Sequence, residues 1–155
     1  MKRVMRNLDG SRRLAFILRH DMRSPLRPGG WLPVSYIMTV LGFSRDEIME
    51  IVASDEKGRY EVDEAGNMIR ALYGHSRNVD LGLSAGVPPA VLYHGTATKY
   101  LEGILSYGIC ARSRQYVHLT TSRDVAMTTG ARHGVAILMT VMRSKCSGMV
   151  SHFIR

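Results

Sequence analysis

Asp55-Glu56-Lys57-Gly58-Arg59-Tyr60-Glu61-Val62-Asp63-Glu64-Ala65-Gly66-Asn67-Met68-Ile69-Arg70-Ala71-Leu72 reads as two short strands set between two turns. Asp55 to Gly58 and Glu64 to Asn67 carry the turn residues. Arg59–Val62 and Met68–Leu72 carry the β-branched and aromatic residues of a hairpin. Upstream, the apolar residues recur at helical spacing. Ser44 and Glu47 have the spacing of a capping box before Ile48, Ile51 and Val52. Ile37, Met38, Val40 and Leu41 form a second pattern that stops at Gly42, a natural left-handed cap. A third has Ser11 as its cap, Leu14, Ile17 and Leu18 as its apolar face, and an end near His20. Three helices followed by a hairpin is the element order of a winged helix, a class that binds nucleic acid or mediates protein contacts.

Downstream of the hairpin, residues 77–90 hold Gly82, Ser84, Gly86, Pro88 and Pro89 with little periodicity and read as a linker. From Val91 the pattern changes. Val91–His94 suits a strand, Thr98–Tyr107 a helix closed by Gly108, Tyr116–Thr120 a strand, Ser122–Met127 a short helix and Val135–Val141 a buried strand. The fold class expected is α+β in two lobes, and 155 residues leave room for no more than that.

The net charge of +8 suits a polyanionic partner. It is unevenly spread, with 13 Lys+Arg against 11 Asp+Glu in residues 1–90 and 8 against 2 in residues 91–155. The second half therefore has little carboxylate chemistry to offer. No apolar run approaches a membrane span, and the N-terminus lacks the apolar stretch of a signal peptide, so the expectation is an intracellular, cytoplasmic protein without a membrane partner. Cys110 and Cys146 are too few for a metal box or a disulfide framework and read as free thiols.

Several short motifs carry candidate chemistry. Leu18-Arg19-His20-Asp21 puts a guanidinium and an imidazole at a helix end, where they can grip a phosphate, although cations at a helix C-terminus also have a plain electrostatic role. His94-Gly95-Thr96 closes a strand with an imidazole, a bare backbone open to ligand approach, and a hydroxyl. Read singly, each is more often a turn or a solvated row than a site. The ordered set is far more specific. It comprises Leu18-Arg19-His20, Gly30-Trp31, Asp55 to Tyr60, Ile69-Arg70-Ala71, Gly74-His75-Ser76, Leu92-Tyr93-His94-Gly95-Thr96, Arg114 with Val117-His118-Leu119, and Gly130-Ala131-Arg132-His133-Gly134.

This set closely resembles the RNA 2'-phosphotransferase family, NAD-dependent enzymes of the tRNA 2'-phosphotransferase type, from about residue 11 to about residue 140. The resemblance implies a winged-helix RNA-binding lobe over 1–76, the linker over 77–90, and an ADP-ribosyltransferase-like, NAD-binding lobe over 91–155, with RNA and NAD meeting between the lobes. It implies removal of an internal 2'-phosphate from RNA, as at a tRNA splice junction. The phosphate attacks C1'' of the NAD ribose and nicotinamide departs. The ribose 2''-OH then attacks phosphorus, giving 2'-OH RNA and ADP-ribose 1'',2''-cyclic phosphate. Arg19, His20, Arg70 and Arg114 correspond to the catalytic, phosphate-handling set. His94, Gly95 and Thr96 correspond to the ribosyl-nicotinamide end of NAD, with Gly74, His75, Ser76, His118 and Arg132 lining the rest. No metal is implied.

The sequence departs from the family at Leu72-Tyr73, where smaller polar residues are usual, and in ending at Ser151-His152-Phe153-Ile154-Arg155 without a further Asn-Gly-Val-Trp-Leu-like hairpin. The second departure implies an incomplete second lobe with an unpaired sheet edge. Two other functions share the motifs: ADP-ribose transfer to terminal phosphates of RNA or DNA, and RNA binding by a catalytically degenerate winged helix.

Overall fold

The computed structural model describes residues 2–82 and 86–145, with the side chains of 2–8 and 145 excepted. The expectations for Ser84, Cys146 and the C-terminal residues 146–155 lie outside it. The fold is α+β and divides into two compact units. The first is Met1–Gly82 with Ser113–Gln115, and the second is Leu83–Arg112 with Tyr116–Arg155. The boundary thus falls within the stretch expected as linker, and residues 77–82 pack with the first unit, as does the short stretch that carries Arg114.

In the first unit, α1 (Lys2–Arg19), β1 (Leu32–Pro33), α2 (Val34–Leu41), α3 (Arg45–Ala53), β2 (Tyr60–Val62) and β3 (Met68–Ala71) follow in order. Ser44 caps α3 in a complete capping box, its hydroxyl accepting from Glu47 N–H while the Glu47 carboxylate accepts from Ser44 N–H. Gly42 ends α2 at φ 67°. Asp63 accepts from the N–H groups of Asn67 and Met68 and so closes the turn between β2 and β3. The three strands form an antiparallel sheet in the order β1-β3-β2. Leu14, Ile17 and Leu18 of α1 share one core with Leu32, Val34, Ile37, Ile48, Ile51, Tyr60, Ile69 and Ala71. Helix and sheet faces that would each be unstable alone are buried together there.

One helix start differs from expectation. Ser11 does not cap α1, which begins at Lys2. Ser11 lies inside the helix and buried, where Tyr60 Oη donates to its carbonyl at 2.8 Å. The apolar periodicity was visible only from Leu14 on, so the helix seemed to start where that face starts.

The second unit holds β4 (Val91–Ala97), a 3-10 turn at Thr98–Tyr100, α4 (Leu101–Tyr107), α5 (Arg123–Ala131) and β5 (Ala136–Met142). Strands β4 and β5 pair antiparallel from Val91 with Met142 to Ala97 with Ala136. The strand expected over Tyr116–Thr120 is reduced to one bridge, Tyr93 with Thr120. β5 is half-buried rather than a buried core strand.

Two glycines set how α5 meets β4. A Cβ at Gly95 would fall 1.6 Å from the Ala126 carbonyl oxygen, and one at Gly130 would fall 2.5 Å from that of Thr96. On the side where a Cβ would stand, the bare backbone of Gly95 admits a helix. Replacing a mid-helix glycine by alanine normally stabilises by about 1 kcal/mol, but at Gly130 the methyl meets backbone that cannot give way. Gly130→Ala is therefore expected to destabilise by roughly 1–3 kcal/mol, read as a lower denaturation midpoint. A higher midpoint would contradict the packing of α5 on β4.

Candidate functional site

The first unit gathers three of the four candidate catalytic residues around one segment, Gly74–Arg77. Arg19 is the last residue of α1, and its carbonyl accepts from Ser76 N–H at 3.1 Å. Ser76 Oγ lies 2.9 Å from His20 Nδ1. Arg77 Nη1 donates to the carbonyls of Asp21 and Ser24, fixing the turn that follows. Arg114 is brought to the same segment by Gln115, whose N–H donates to the His75 carbonyl at 2.8 Å. Arg114 Nη1 donates to the Gly74 carbonyl at 2.6 Å.

Gly74 makes this convergence possible. It sits at φ 88°, a conformation that disfavours side chains. A Cβ there would stand 2.7 Å from Arg114 Nη1 and 3.3 Å from Cζ and Nη1 of Arg19. Both guanidiniums therefore occupy the space that a side chain at position 74 would need.

Arg19 is only 8% exposed. Its Nε and Nη2 are buried and have no hydrogen-bond partner in the protein. Those two nitrogens form the side-on edge of a guanidinium, the fork that fits two oxygens of a carboxylate or phosphate. Burial lowers the Arg19 pKa from its usual value, with the nearby Arg114 and Arg59 charges acting in the same direction and Tyr60 and Tyr73 opposing. An arginine withdrawn from water in this way keeps two donors that the oxygens of an anion would satisfy.

His20 is half-buried, and its pKa lies below the usual 6.5 because of burial first and the Arg114 and Arg19 charges second. The imidazole is thereby biased towards neutrality at pH 7. Arg70 is held elsewhere. Its Nε donates to Glu61 at 2.6 Å, its Nη1 to the carbonyls of Gly29 and Leu81, and its guanidinium stacks on Trp31 at 4.6 Å. His75 is buried at 3% exposure, whereas Ser76 is exposed.

In the second unit, His94 and Thr96 lie on β4 either side of Gly95. His94 Nδ1 is 3.1 Å from the His118 carbonyl, which can only accept, so the proton is on Nδ1 and Nε2 is left as an acceptor. Thr96 is buried at 7% exposure. His118 and Arg132 are exposed, Arg132 at the C-terminal cap of α5.

Tyr73 and Arg59 were not among the candidates. Tyr73 covers the Arg19 guanidinium, with Cζ 4.8 Å from the ring centroid. Arg59, paired with Asp55 at 2.6 Å, adds positive charge nearby. Arg59 stood inside the ordered motif Asp55 to Tyr60, which was its only signal; Tyr73 stood out only as a departure.

The sequence matches the model of the RNA 2'-phosphotransferase, Tpt1/KptA family over residues 5–155. It is 38% identical over 146 residues to the protein named "Probable RNA 2'-phosphotransferase" of Acaryochloris marina, covering 89% of this chain and 81% of that one. The protein of the same name from Herpetosiphon aurantiacus is 41% identical over 139 residues, covering 84% and 76% respectively. That of Pyrococcus horikoshii is 38% identical over 144 residues, covering 88% and 80%.

The depressed His20 pKa has a definite sign. Its folded value lies below its unfolded one, so its contribution to stability is complete above about 6.5 and is lost as pH falls through the folded value. NMR titration of the His20 ring is expected to give a midpoint below 6.5 that rises in Arg114→Ala, as one nearby cation is removed. A midpoint at or above 6.5, or one unmoved by the substitution, would contradict this electrostatic arrangement.

Proposed function

The chain belongs to the RNA 2'-phosphotransferase, Tpt1/KptA family, and from that premise we propose that it removes an internal 2'-phosphate from RNA with NAD as the consumed co-substrate. The observation that carries this reading is the buried Arg19 fork, unpaired, with Arg114 beside it at Gly74. A helix-end guanidinium with both side-on nitrogens unpaired suits a phosphate monoester, which binds through two oxygens. The three helices and the β2–β3 hairpin support a winged-helix reading of the first unit. Strands β4 and β5 with α5 packed on them support an ADP-ribosyltransferase-like reading of the second.

The chemistry needs little from carboxylates. A phosphate monoester with a second pKa near 6 is already largely ionised at neutral pH and can act as a nucleophile without a general base. In the first step its oxygen forms a bond to C1'' of the NAD ribose while the bond to nicotinamide breaks, and the ring nitrogen takes the electron pair. Arg19 and Arg114 orient the dianion. In the second step the ribose 2''-OH attacks phosphorus, and the bond from phosphorus to the RNA 2'-oxygen breaks. The 2''-OH proton is lost and the RNA oxygen gains one, so the step is balanced. Charge on the phosphorus oxygens is stabilised by the guanidiniums.

His20 is the candidate proton donor to the departing RNA oxygen. Alone it is biased towards neutrality, but a dianion arriving beside Arg19 and Arg114 opposes their field and raises the imidazole pKa. The residue is thus charged by the substrate it serves. Arg70 contributes through Nη2, its other nitrogens being engaged with Glu61, Gly29 and Leu81. On β4, His94 Nε2, the Gly95 backbone and the Thr96 hydroxyl are the groups assigned by motif to the ribosyl-nicotinamide end of NAD, with Gly74, His75, Ser76, His118 and Arg132 assigned to the remainder.

The test is incubation of the protein with NAD and an RNA bearing one internal 2'-phosphate. Expected products are nicotinamide, ADP-ribose 1'',2''-cyclic phosphate and RNA with a free 2'-OH. Arg19→Ala and Arg114→Ala are each expected to lower kcat by roughly 100-fold or more with a much smaller change in RNA affinity. Accumulation of a stable ADP-ribosylated RNA would point instead to transfer without the second step. RNA binding without NAD consumption at high protein concentration would overturn the enzyme reading.

A further inference from the structure

Tyr73 follows β3 and immediately precedes Gly74. Its ring lies over the Arg19 guanidinium at 4.8 Å, and its hydroxyl donates to the Lys57 carbonyl at 2.9 Å, tethering it to the turn ahead of β2. A Cβ at position 74 would stand 3.3 Å from Cζ and Nη1 of the same guanidinium, so glycine there leaves the cation its room. The ring covers the cation while its Nε and Nη2 atoms have no hydrogen-bond partner in the protein. A π-face covers a guanidinium and attracts it without consuming its N–H groups, since the attraction runs to the face and the donors lie in the plane.

We propose that Tyr73 is a positioning residue for Arg19: its ring fixes the plane of the guanidinium so that the side-on edge meets the 2'-phosphate in one orientation. The proposal rests on the functional reading above for the identity of the anion, but the ordering of Arg19 by the ring is a property of the protein alone. Burial raises the Tyr73 phenol pKa, with the Arg19 charge and a hydrogen bond to Arg19 opposing, so the phenol stays neutral at physiological pH. A flexible side chain at this position leaves Arg19 free to rotate, with loss of the alignment that the phosphorus step requires.

The experiment compares Tyr73→Phe, which keeps the ring and loses the tether, with Tyr73→Leu, which loses the ring. Tyr73→Met replaces the leucine variant if that variant fails to fold. Two quantities are read: steady-state turnover of NAD with RNA bearing an internal 2'-phosphate, and the Arg19 Nε–H resonance, with its ring-current shift and its exchange with water. Tyr73→Leu is expected to lose the ring-current shift, to exchange faster and to lower kcat by roughly tenfold to a hundredfold with little change in KM for RNA. Tyr73→Phe is expected to stay close to wild type in both. The proposal is overturned if Tyr73→Leu leaves the Arg19 resonance or kcat unchanged. It is equally overturned if Tyr73→Phe falls as far as Tyr73→Leu, because the tether to Lys57 would then be what matters. If the wild-type protein releases no phosphate, the functional reading fails, while the Arg19 resonance still decides whether the ring orders the arginine.

Discussion

Withdrawing the Arg19 guanidinium from water carries a desolvation penalty on the order of several kcal/mol, and the first unit recovers part of it without using the donors that a ligand would need. The Tyr73 ring covers the cation, and glycine at position 74 leaves it room. No carboxylate is paired with it among the ion pairs of the described residues. A partner carboxylate would stabilise the fold more cheaply and would fill the fork. The arrangement kept here leaves Nε and Nη2 of Arg19 without a hydrogen-bond partner in the protein. The order of the segment follows from it. Gly74 takes a positive φ, Ser76 N–H donates to the Arg19 carbonyl at the end of α1 while its hydroxyl meets His20, and Arg77 secures the turn beyond.

Local chemistry explains which parts of the fold were legible in the sequence. The capping box at Ser44 and Glu47, the left-handed cap at Gly42 and the turn closed by Asp63 depend on residues within a few positions, and each occurs where its pattern stands. The start of α1 was not legible, because the hydroxyl of Ser11 looks the same in sequence whether it caps a helix or meets Tyr60, 49 residues away. Residues Tyr116–Thr120 alternate like a strand, yet a strand needs a partner along its length, and this one pairs with β4 at a single position.

The same distinction holds for the candidate site. Arg19, His20 and Arg114 were named from ordered motifs, and the first unit brings them to one segment although Arg114 lies about a hundred residues away in sequence. Motif order carries that information because the fold is shared across a family; composition and periodicity do not. What motifs cannot convey is the engagement of each nitrogen. Arg70 and Arg19 look alike as letters, but one is bound to Glu61 and two carbonyls and the other keeps its fork. Gly95 shows the same limit, its bare backbone accommodating α5.

The distribution of carboxylates gives the arrangement its electrostatic sense. The first unit holds nearly all of them, and a phosphate dianion approaching Arg19 would be repelled by any that were unpaired. Among the described residues three of them are paired with arginines: Asp55 with Arg59, Glu61 with Arg70 and Asp21 with Arg23. Each pair is roughly neutral at a distance, so Arg19 and Arg114 dominate the local field. Burial first, and then the same charges, bias His20 to neutrality. The half-buried pair of Asp55 and Arg59 belongs to the same arrangement, supporting the turn that tethers Tyr73 over the arginine.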